Sequence, residues 1–202
     1  MITLIIGGSG SGKSEFAEEY VSHLAGNAKE GRAMLYYLAT MHADDEESRS
    51  RIGRHRQMRK GKGFETIEMP VRIERSLSMM ENPENGKRKD VERFVLLECL
   101  SNLAANEMFD GWTDVRDGWH DPGAVKQRVL KGLFDLDEKS KHLVIVSNLI
   151  FDDGVEYDTV TTEYIRFLAE LNIAVAKKAQ TVIEVVMGLP NVLKGEMYPP
   201  CM

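Results

Sequence analysis

Residues 2–14 read Ile-Thr-Leu-Ile-Ile-Gly-Gly-Ser-Gly-Ser-Gly-Lys-Ser and run straight into the helix-favouring stretch Glu-Phe-Ala-Glu-Glu-Tyr at 15–20. The apolar run predicts a strand, and the spacing Gly7-x4-Gly12-Lys13-Ser14 predicts a phosphate-binding loop, with backbone N–H groups around a phosphate, charge from Lys13 and a Ser14 hydroxyl that can reach Mg²⁺. A helix that begins directly after the loop favours the same anion through its dipole. The alternative is a flexible Gly/Ser turn, but it leaves the Lys-Ser pair and the helix unexplained. We therefore predict nucleotide binding by Gly7, Gly8, Ser9, Gly10, Ser11, Gly12, Lys13 and Ser14.

Apolar, β-branched segments alternate with helix-period segments along the rest of the chain. The predicted strands are residues 2–6, 33–39, 64–68, 93–98, 142–147 and 181–187. Strands separated by helices imply right-handed crossovers and a mostly parallel sheet, with ligands outside the carboxyl ends of the strands. We predict an α/β, P-loop NTPase-like (RecA-like) fold with helices flanking the sheet. Because domains usually run about 100 to 200 residues, a single nucleotide-binding domain over residues 1–202 is expected.

Composition excludes several classes of partner. A net charge of −6 argues against a nucleic-acid partner, because such proteins usually carry a basic face. The longest apolar runs, at 143–146 and 182–187, fall far short of the roughly 20 residues that a membrane helix needs. The amino terminus shows no basic, then apolar, then small-residue pattern of a secretion signal, so a cytoplasmic protein is expected. The two cysteines, Cys99 and Cys201, form no ligand-like pair, and Cys99 is expected to be a small buried side chain.

A second group of candidate residues follows the second predicted strand. Residues 44–47 are acidic and residues 49–59 are basic, which suits the dipole of a helix. On that helix Arg51, His55 and Arg59 recur every four residues and form one stripe. The flanking guanidiniums would disfavour the imidazolium form of His55 and clamp phosphates on either side of the atom that it attacks. The alternative from spacing alone is a solvated, charged surface helix with an incidental histidine.

Taken in order, these motifs resemble the bifunctional adenosylcobinamide kinase and adenosylcobinamide-phosphate guanylyltransferase family of cobalamin nucleotide-loop assembly. The phosphate loop alone occurs in many nucleotide enzymes, but its combination with Arg-Ile-x-x-His at this distance is specific. The resemblance spans nearly the whole chain. Its elements are the loop at 7–14, Tyr-x-Ala-Thr at 37–40, Arg-Ile-x-x-His-Arg-x-x-Arg at 51–59, Leu-Leu-Glu-Cys-Leu-Ser-Asn at 96–102 with Asn106, Val-Ile-Val-Ser-Asn at 144–148, and Gly-Leu-Pro-x-x-Leu-Lys at 188–194.

The resemblance implies a two-step transfer of GMP. His55 would attack the α-phosphate of GTP, pyrophosphate would leave, and adenosylcobinamide phosphate would then displace the histidine to give adenosylcobinamide-GDP. It also implies ATP- or GTP-dependent phosphorylation of the corrinoid, and a homo-oligomer, in particular a trimer. The implied nucleotide contacts beyond the phosphate loop are Ala39, Thr40, Met41, Arg51, Arg56, Gln57, Met58, Arg59, Glu68 and Glu98.

Glu98 follows an apolar strand as a Walker-B carboxylate would. Mg²⁺ held through Ser14 and Glu98 is therefore expected. The alternative for Glu98 is an ordinary surface carboxylate at a strand end.

The chain departs from the family pattern after Asn148. Where the family usually continues with Glu-Val-Gly and a Gly-Ile-Val-Pro turn, residues 149–157 read Leu-Ile-Phe-Asp-Asp-Gly-Val-Glu-Tyr, and an Asp and a Gln of the family are also missing near Arg166 and Ile173. This half is expected to touch the corrinoid or its neighbours, so the substrate could be altered or one of the two activities lost. For the carboxylate that a kinase places near its acceptor hydroxyl, Asp152 and Asp153 are candidates by position.

Two other functions fit the same residues. The first is an ATP-dependent small-molecule kinase in which Arg51 and Arg59 bind phosphate and His55 takes no part. The second is a catalytically idle nucleotide-binding module whose changed segment, residues 149–173, serves as a partner surface.

Overall fold

The parallel sheet expected from the strand pattern is present, with seven strands among the described residues. The computed structural model describes residues 1–28, 32–42, 46–80, 91–109, 122–151 and 154–197. The strands are β1 (Ile2–Gly7), β2 (Ala33–Ala39), β3 (Phe64–Glu68), β4 (Glu92–Glu98), β5 (His142–Asn148), β6 (Thr181–Val186) and β7 (Leu189–Lys194). They lie in the order β3-β2-β4-β5-β1-β6-β7. The first six strands run parallel and β7 pairs antiparallel with β6, so the carboxyl ends of six strands meet at one edge.

Helices connect the parallel strands and cover the sheet. They are α1 (Lys13–Gly26), α2 (Glu46–Arg59), α3 (Ser76–Met80), α4 (Leu100–Phe109), α5 (Pro122–Lys139) and α6 (Thr159–Lys178), with a 3-10 turn at Ile73–Arg75. Among the described residues, none of these helices is both long and apolar enough to cross a lipid bilayer.

Side chains of alternate strand residues build two apolar layers, one on each face of the sheet. In β5, Leu143 and Ile145 pack with residues of α4, α5 and α6, while Val144 and Val146 pack with residues of α1. All four β5 residues are fully buried. A central strand that is covered on both faces must be continuously apolar, which is why β5 reads Leu-Val-Ile-Val rather than alternating.

The six predicted strands are confirmed to within one residue at each end. The sequence did not predict β7. This strand contains Pro190, and five of its six residues are exposed. An exposed antiparallel edge strand tolerates a proline and lacks the apolar run on which the prediction of the other strands depends.

Candidate active site

The glycine-rich loop lies where β1 gives way to α1. Gly10 and Gly12 have φ angles of 71° and 88°, a conformation that glycine adopts without steric cost. Gly12 is the N-cap of α1 and no side chain caps the helix there. The amides of the first turn of α1 are therefore directed at the space where a phosphate would bind, and they add to the helix dipole.

Two other loops brace the phosphate loop through backbone hydrogen bonds. Gly188 N, in the tight turn between β6 and β7, donates to Ser11 O at 2.8 Å, and Leu149 N, directly after β5, donates to Gly7 O at 3.0 Å. The approach is close, since a Cβ added to Gly12 would lie 3.2 Å from the Cα of Gly188. Sequence reasoning noted Gly188 as part of a family motif without a role. The structure gives it contact with the phosphate loop.

Lys13 is buried beside the end of β4. Its side chain is 8% exposed and Nζ donates to Gly8 O at 3.0 Å. Burial lowers the pKa of the Lys13 ammonium, an effect that the Cys99 thiol and the Glu98 carboxylate oppose. A phosphate in the loop would supply a full negative charge to this desolvated cation, so the electrostatics of the site favour an anionic ligand.

Glu98 ends β4 and is fixed by an aromatic neighbour. Tyr37 in β2 donates from its hydroxyl to Glu98 Oε2 at 2.8 Å. Burial, followed by the charge of Glu98, raises the pKa of the Tyr37 hydroxyl well above its usual range, so the hydroxyl keeps its proton and remains a donor.

The oxygen donors available at the site fit magnesium. Mg²⁺ usually takes one or two protein oxygens together with substrate phosphates, and the Ser14 hydroxyl with the Glu98 carboxylate would supply that set. Within the described ranges, no group of three or more His, Cys, Asp or Glu side chains could hold a metal without such a ligand.

Thr40 joins the ends of β2 and β4. Its buried hydroxyl accepts from Cys99 N at 2.7 Å and donates to Cys99 O at 2.9 Å. Its backbone N–H donates to Glu98 O at 3.1 Å, and Asn106 Nδ2 donates to its carbonyl at 2.8 Å. Of the other predicted contacts on this segment, Ala39 and Met41 are half-buried on either side of Thr40. The carboxylate of Glu98 is therefore carried on a rigid strand end.

A polar network at the end of β5 was not predicted. Asn148 Nδ2 donates to Ser101 Oγ at 2.7 Å, and this oxygen lies 2.9 Å from Cys99 Sγ. Burial raises the pKa of the Cys99 thiol, in keeping with the buried side chain expected from the sequence. Asn148 also pairs in register with Gly7, which brings the network to the phosphate loop. The signal that could have found it is a polar residue directly after a buried strand.

The helix α2 carries His55 and differs from the rest of the site in its packing. It spans the predicted stripe, but within the described parts it is absent from the closely packed pairs of elements. Its described side chains are exposed or half-buried except for that of Arg59. The side chains of Arg51, His55 and Met58 lie outside the described part of the structure, as do residues Asp152 and Asp153.

The carboxyl end of α2 is attached to the body by three contacts. The guanidinium carbon of Arg59 lies 3.5 Å from the centroid of the Tyr37 ring, a favourable cation–π geometry. Arg56 forms an ion pair with Glu68 at the end of β3. In the loop after the helix, Lys62 Nζ donates to the buried Glu18 Oε2 of α1 at 2.8 Å.

The burial of Arg59 differs from the solvated helix face that was the alternative to a phosphate-binding stripe. This side chain is 7% exposed, and its Nε and Nη1 atoms have no hydrogen-bond partner among the described residues. The Arg59 guanidinium therefore lies over the ring of Tyr37, which bonds Glu98, and it keeps N–H donors that a ligand could use. Gln57 is exposed. Nucleotide contact by Arg56, Gln57, Arg59 and Glu68 stays a prediction.

Comparison with known proteins identifies the family. A family model described as cobinamide kinase / cobinamide phosphate guanyltransferase matches residues 3–193. The bifunctional adenosylcobalamin biosynthesis protein CobP of Pseudomonas aeruginosa is 29% identical over 196 residues, 97% of this chain and 99% of that protein. The bifunctional adenosylcobalamin biosynthesis protein CobU of Escherichia coli is 30% identical over 130 residues, 64% of this chain and 62% of that protein.

A solved ATPase domain supports the fold. It matches with a TM-score of 0.53 and 10% identity, covering 91% of this chain and 68% of that one. Such low identity bears on architecture alone, and it agrees with the P-loop NTPase-like fold expected from the sequence. The family match covers nearly the whole chain, so the chain belongs to the cobinamide kinase / cobinamide phosphate guanyltransferase family.

Proposed function

We propose that this chain, as a member of that family, catalyses both phosphorylation of cobinamide, in its adenosyl form, and transfer of GMP to the phosphorylated product. The observation that carries the proposal is the phosphate loop, with the buried Lys13 ammonium beside the Glu98 carboxylate. A desolvated cation next to uncapped helix amides is a binding site for nucleotide phosphates. The family match supplies the acceptor.

In the kinase step a hydroxyl oxygen of the corrinoid attacks the γ-phosphate of ATP or GTP. A new P–O bond forms, the bond from the γ-phosphorus to the β–γ bridging oxygen breaks, and the hydroxyl proton goes to solvent or to a nearby carboxylate. Catalysis of this step consists mainly of positioning and charge stabilisation. Residues 7–14 would hold the triphosphate, Lys13 would neutralise charge on it, and Asn148 would lie beside the start of the loop.

In the transfer step we assign the nucleophile to His55. An imidazole nitrogen attacks the α-phosphorus of GTP, the bond to the α–β bridging oxygen breaks, and pyrophosphate leaves. A phosphate oxygen of the phosphorylated corrinoid then attacks the same phosphorus, breaks the P–N bond and restores the histidine. Dividing one difficult substitution into two is the usual advantage of a covalent intermediate.

Ser14 and Glu98 would hold Mg²⁺. When bound, the ion supplies charge neutralisation and orientation of the phosphates. The Tyr37 hydroxyl fixes one oxygen of Glu98 at 2.8 Å, which limits how that carboxylate can turn. Three predictions complete this proposal. Arg51, Met58 and the other predicted residues of α2 contact the nucleotide, the protein is a homo-oligomer, and it is located in the cytoplasm.

The test is to incubate the protein with Mg²⁺ and GTP labelled with ³²P at the α-phosphate, quench in base, and measure protein-bound label. A phosphoramidate survives alkali and breaks in acid, so label that stays on the protein in base and is released in acid identifies a bond to a side-chain nitrogen such as that of histidine. We expect label in the wild type and none in His55→Ala. Ser50→Ala, an exposed position of the same helix, is the matched control and should label normally.

The other functions give different results. Cobinamide phosphorylation without protein-bound label would contradict the role of His55 and indicate a plain kinase. Nucleotide binding with neither label nor phosphorylated corrinoid would indicate the idle module. Label in the wild type that persists in His55→Ala would move the nucleophile to another residue.

A further inference from the structure

A cavity lies between the segment that follows β5 and the first turns of α6. Its volume is about 510 Å³, within the range of roughly 300 to 1,000 Å³ typical of small-molecule sites. The eight residues that line it include Ile150, Phe151, Val155, Tyr157 and Ile165. Apolar side chains that are exposed together as one patch mark a binding surface, whereas those scattered singly over the exterior do not.

The exposure of these side chains is substantial. Phe151 is 38% exposed, Val155 58% and Tyr157 42%. They stand where the chain departs from the family pattern after Asn148. The cavity is therefore a property of this chain's own residues and not of the shared motifs.

The position of the cavity relates it to phosphate chemistry. Leu149 N donates to Gly7 O of the phosphate loop at 3.0 Å, and Ile150 and Phe151 are the next two residues. Because consecutive Cα atoms are about 3.8 Å apart, the Cα of Ile150, where the near wall of the cavity begins, lies within about 8 Å of the Gly7 carbonyl oxygen. The cavity therefore adjoins the segment that braces the phosphate loop, and a phosphoryl acceptor held there must reach from that segment to a bound triphosphate.

The far wall of the cavity is held in place by α6. Asp158 caps the helix, and its Oδ1 accepts from Val160 N at 2.9 Å and from Thr161 N at 3.0 Å. One turn further on, the Tyr164 hydroxyl donates to Ser101 O at 3.1 Å, at the start of α4. Because α6 is capped and hydrogen-bonded to the start of α4, this wall does not need to form on ligand binding.

The chemistry of the lining selects the kind of ligand. Of the eight described residues that line the cavity, none is a lysine or arginine and one, Glu156, is an acid, so these side chains offer no positive charge to a triphosphate. Aromatic and aliphatic side chains suit the apolar face of a macrocycle. The Glu156 carboxylate can accept hydrogen bonds from peripheral amide N–H groups.

We propose that this cavity binds the corrin ring of the acceptor, with Phe151 and Tyr157 in contact with an apolar part of the macrocycle and Glu156 with its amide side chains. The inference rests on the proposed function, because that function supplies the corrinoid. It adds the location of the acceptor and the residues that recognise it. The macrocycle is larger than the cavity, so part of it would extend into solvent.

The experiment measures the affinity of purified full-length protein for cobinamide by equilibrium dialysis, read from the visible absorbance of the corrin. We expect the double variant Phe151→Ser/Tyr157→Ser to bind cobinamide at least tenfold more weakly, since two aromatic contacts are removed. Its GTP affinity should stay within twofold. Leu193→Ser, which removes an aliphatic side chain 53% exposed on β7, is the matched control and should leave both affinities unchanged.

A second measurement on the wild type covers the case in which the double variant does not fold. Cobinamide should slow amide hydrogen exchange in residues 154–165, and no slowing there would overturn the proposal. Unchanged cobinamide affinity in a folded double variant would overturn it as well, while leaving the proposed function in place. No binding or turnover of cobinamide by the wild type would instead refute the proposed function, and the assignment of the cavity with it.

Discussion

The carboxyl ends of the parallel strands, where the phosphate loop lies, form one edge of the sheet, and the helix α2 follows one of these strands, β2. This phosphate-loop edge and α2 differ in how firmly they are packed against the rest of the protein. At the edge, the ends of β2, β4 and β5 are joined by hydrogen bonds of Thr40, Cys99, Ser101 and Asn148, and the end of β1 is joined to the segment after β5 by the bond from Leu149 N to Gly7 O. In contrast, α2 has one buried described side chain, that of Arg59, and its other described residues are exposed or half-buried. The first region is fixed by the core of the protein, and the second is fixed at one end.

This difference suits the two roles that we propose for these regions, phosphate binding at the edge of the sheet and presentation of the nucleophile by α2. Phosphates require donors at fixed positions, which a strand-end network provides without loss of entropy on binding. The proposed nucleophile has two partners in turn, first GTP and then the corrinoid phosphate. A helix attached at its carboxyl end by the Arg59–Tyr37 contact can present one residue to both. The comparison predicts that substitutions will be costly at the edge and cheap on α2.

The largest expected effect on stability is that of Thr40→Val. The substitution removes a hydroxyl that serves both the N–H and the C=O of Cys99. It leaves the buried Cys99 N–H without its partner, whereas Cys99 O keeps the bond that it accepts from Leu103 N at 3.1 Å. We expect the free energy of unfolding to fall by about 2–4 kcal/mol, since a buried unsatisfied N–H costs roughly 1–3 kcal/mol and the lost bond to Cys99 O about 1 kcal/mol. Urea denaturation measures it.

Two controls complete this test. Thr40→Ser keeps the hydroxyl and should recover most of the stability. Ser50→Ala on α2 should change the free energy of unfolding by less than about 0.5 kcal/mol. Equal losses in Thr40→Val and Ser50→Ala would contradict the contrast between the two regions.

The same substitution, glycine to alanine, can be made once in the phosphate loop and once in α2 to compare how tightly the two regions are packed. At Gly7 an added Cβ would lie 2.6 Å from both Ser11 Oγ and Val185 O, whereas at Gly53 in α2 no atom lies within 4 Å. We expect Gly7→Ala to destabilise by about 1–3 kcal/mol through overpacking. Gly53→Ala should stabilise by about 0.5–1 kcal/mol through helix propensity.

Thermal and urea unfolding of both variants would measure the pair. Because alanine reduces the freedom of the unfolded chain similarly at both positions, the difference reports on the folded state. Stabilisation at both sites would show that the loop is less constrained than its contacts indicate.

Much of the fold followed from the sequence because its strands are buried. A strand covered on both faces must be apolar throughout, and β1, β4 and β5 show this directly. The same reasoning missed β7, whose residues face solvent and include Pro190. Its existence depends on pairing with β6 and not on its own composition, so local pattern carries little signal for it.

The candidate site was predictable where chemistry is local and not where it depends on distant contacts. The phosphate loop is one contiguous motif, so its eight residues could be named from the sequence. Arg59 was expected either to clamp a phosphate or to belong to a solvated helix face, because helical spacing gives the face of a residue but not what that face meets. The Tyr37 ring is 22 positions away in the chain, and the contact arises only when β2 and α2 are both in place.

The smallest expected effect concerns pH and the sheet end remote from the phosphate loop. His142 begins β5 with its ring stacked on Phe94, centroids 5.7 Å apart. Burial, then the N-terminal amine and Lys141, lower the pKa of the His142 imidazole, while Glu92 and Asp137 oppose the shift. The unfolded chain therefore takes up this proton at a higher pH than the folded one. Its contribution to stability is present above about pH 6.5 and is lost as the pH falls below that value.

His142→Phe keeps an aromatic ring at this position and removes the titration. We expect its free energy of unfolding to fall less steeply than that of the wild type between pH 7 and pH 5, as measured by urea denaturation at several pH values. GTP labelling at His55 should be unaffected at neutral pH, since His142 lies at the opposite end of β5 from Asn148. Parallel pH profiles for the two proteins would show that the buried ring does not resist protonation, because the folded and unfolded states would then bind this proton equally well.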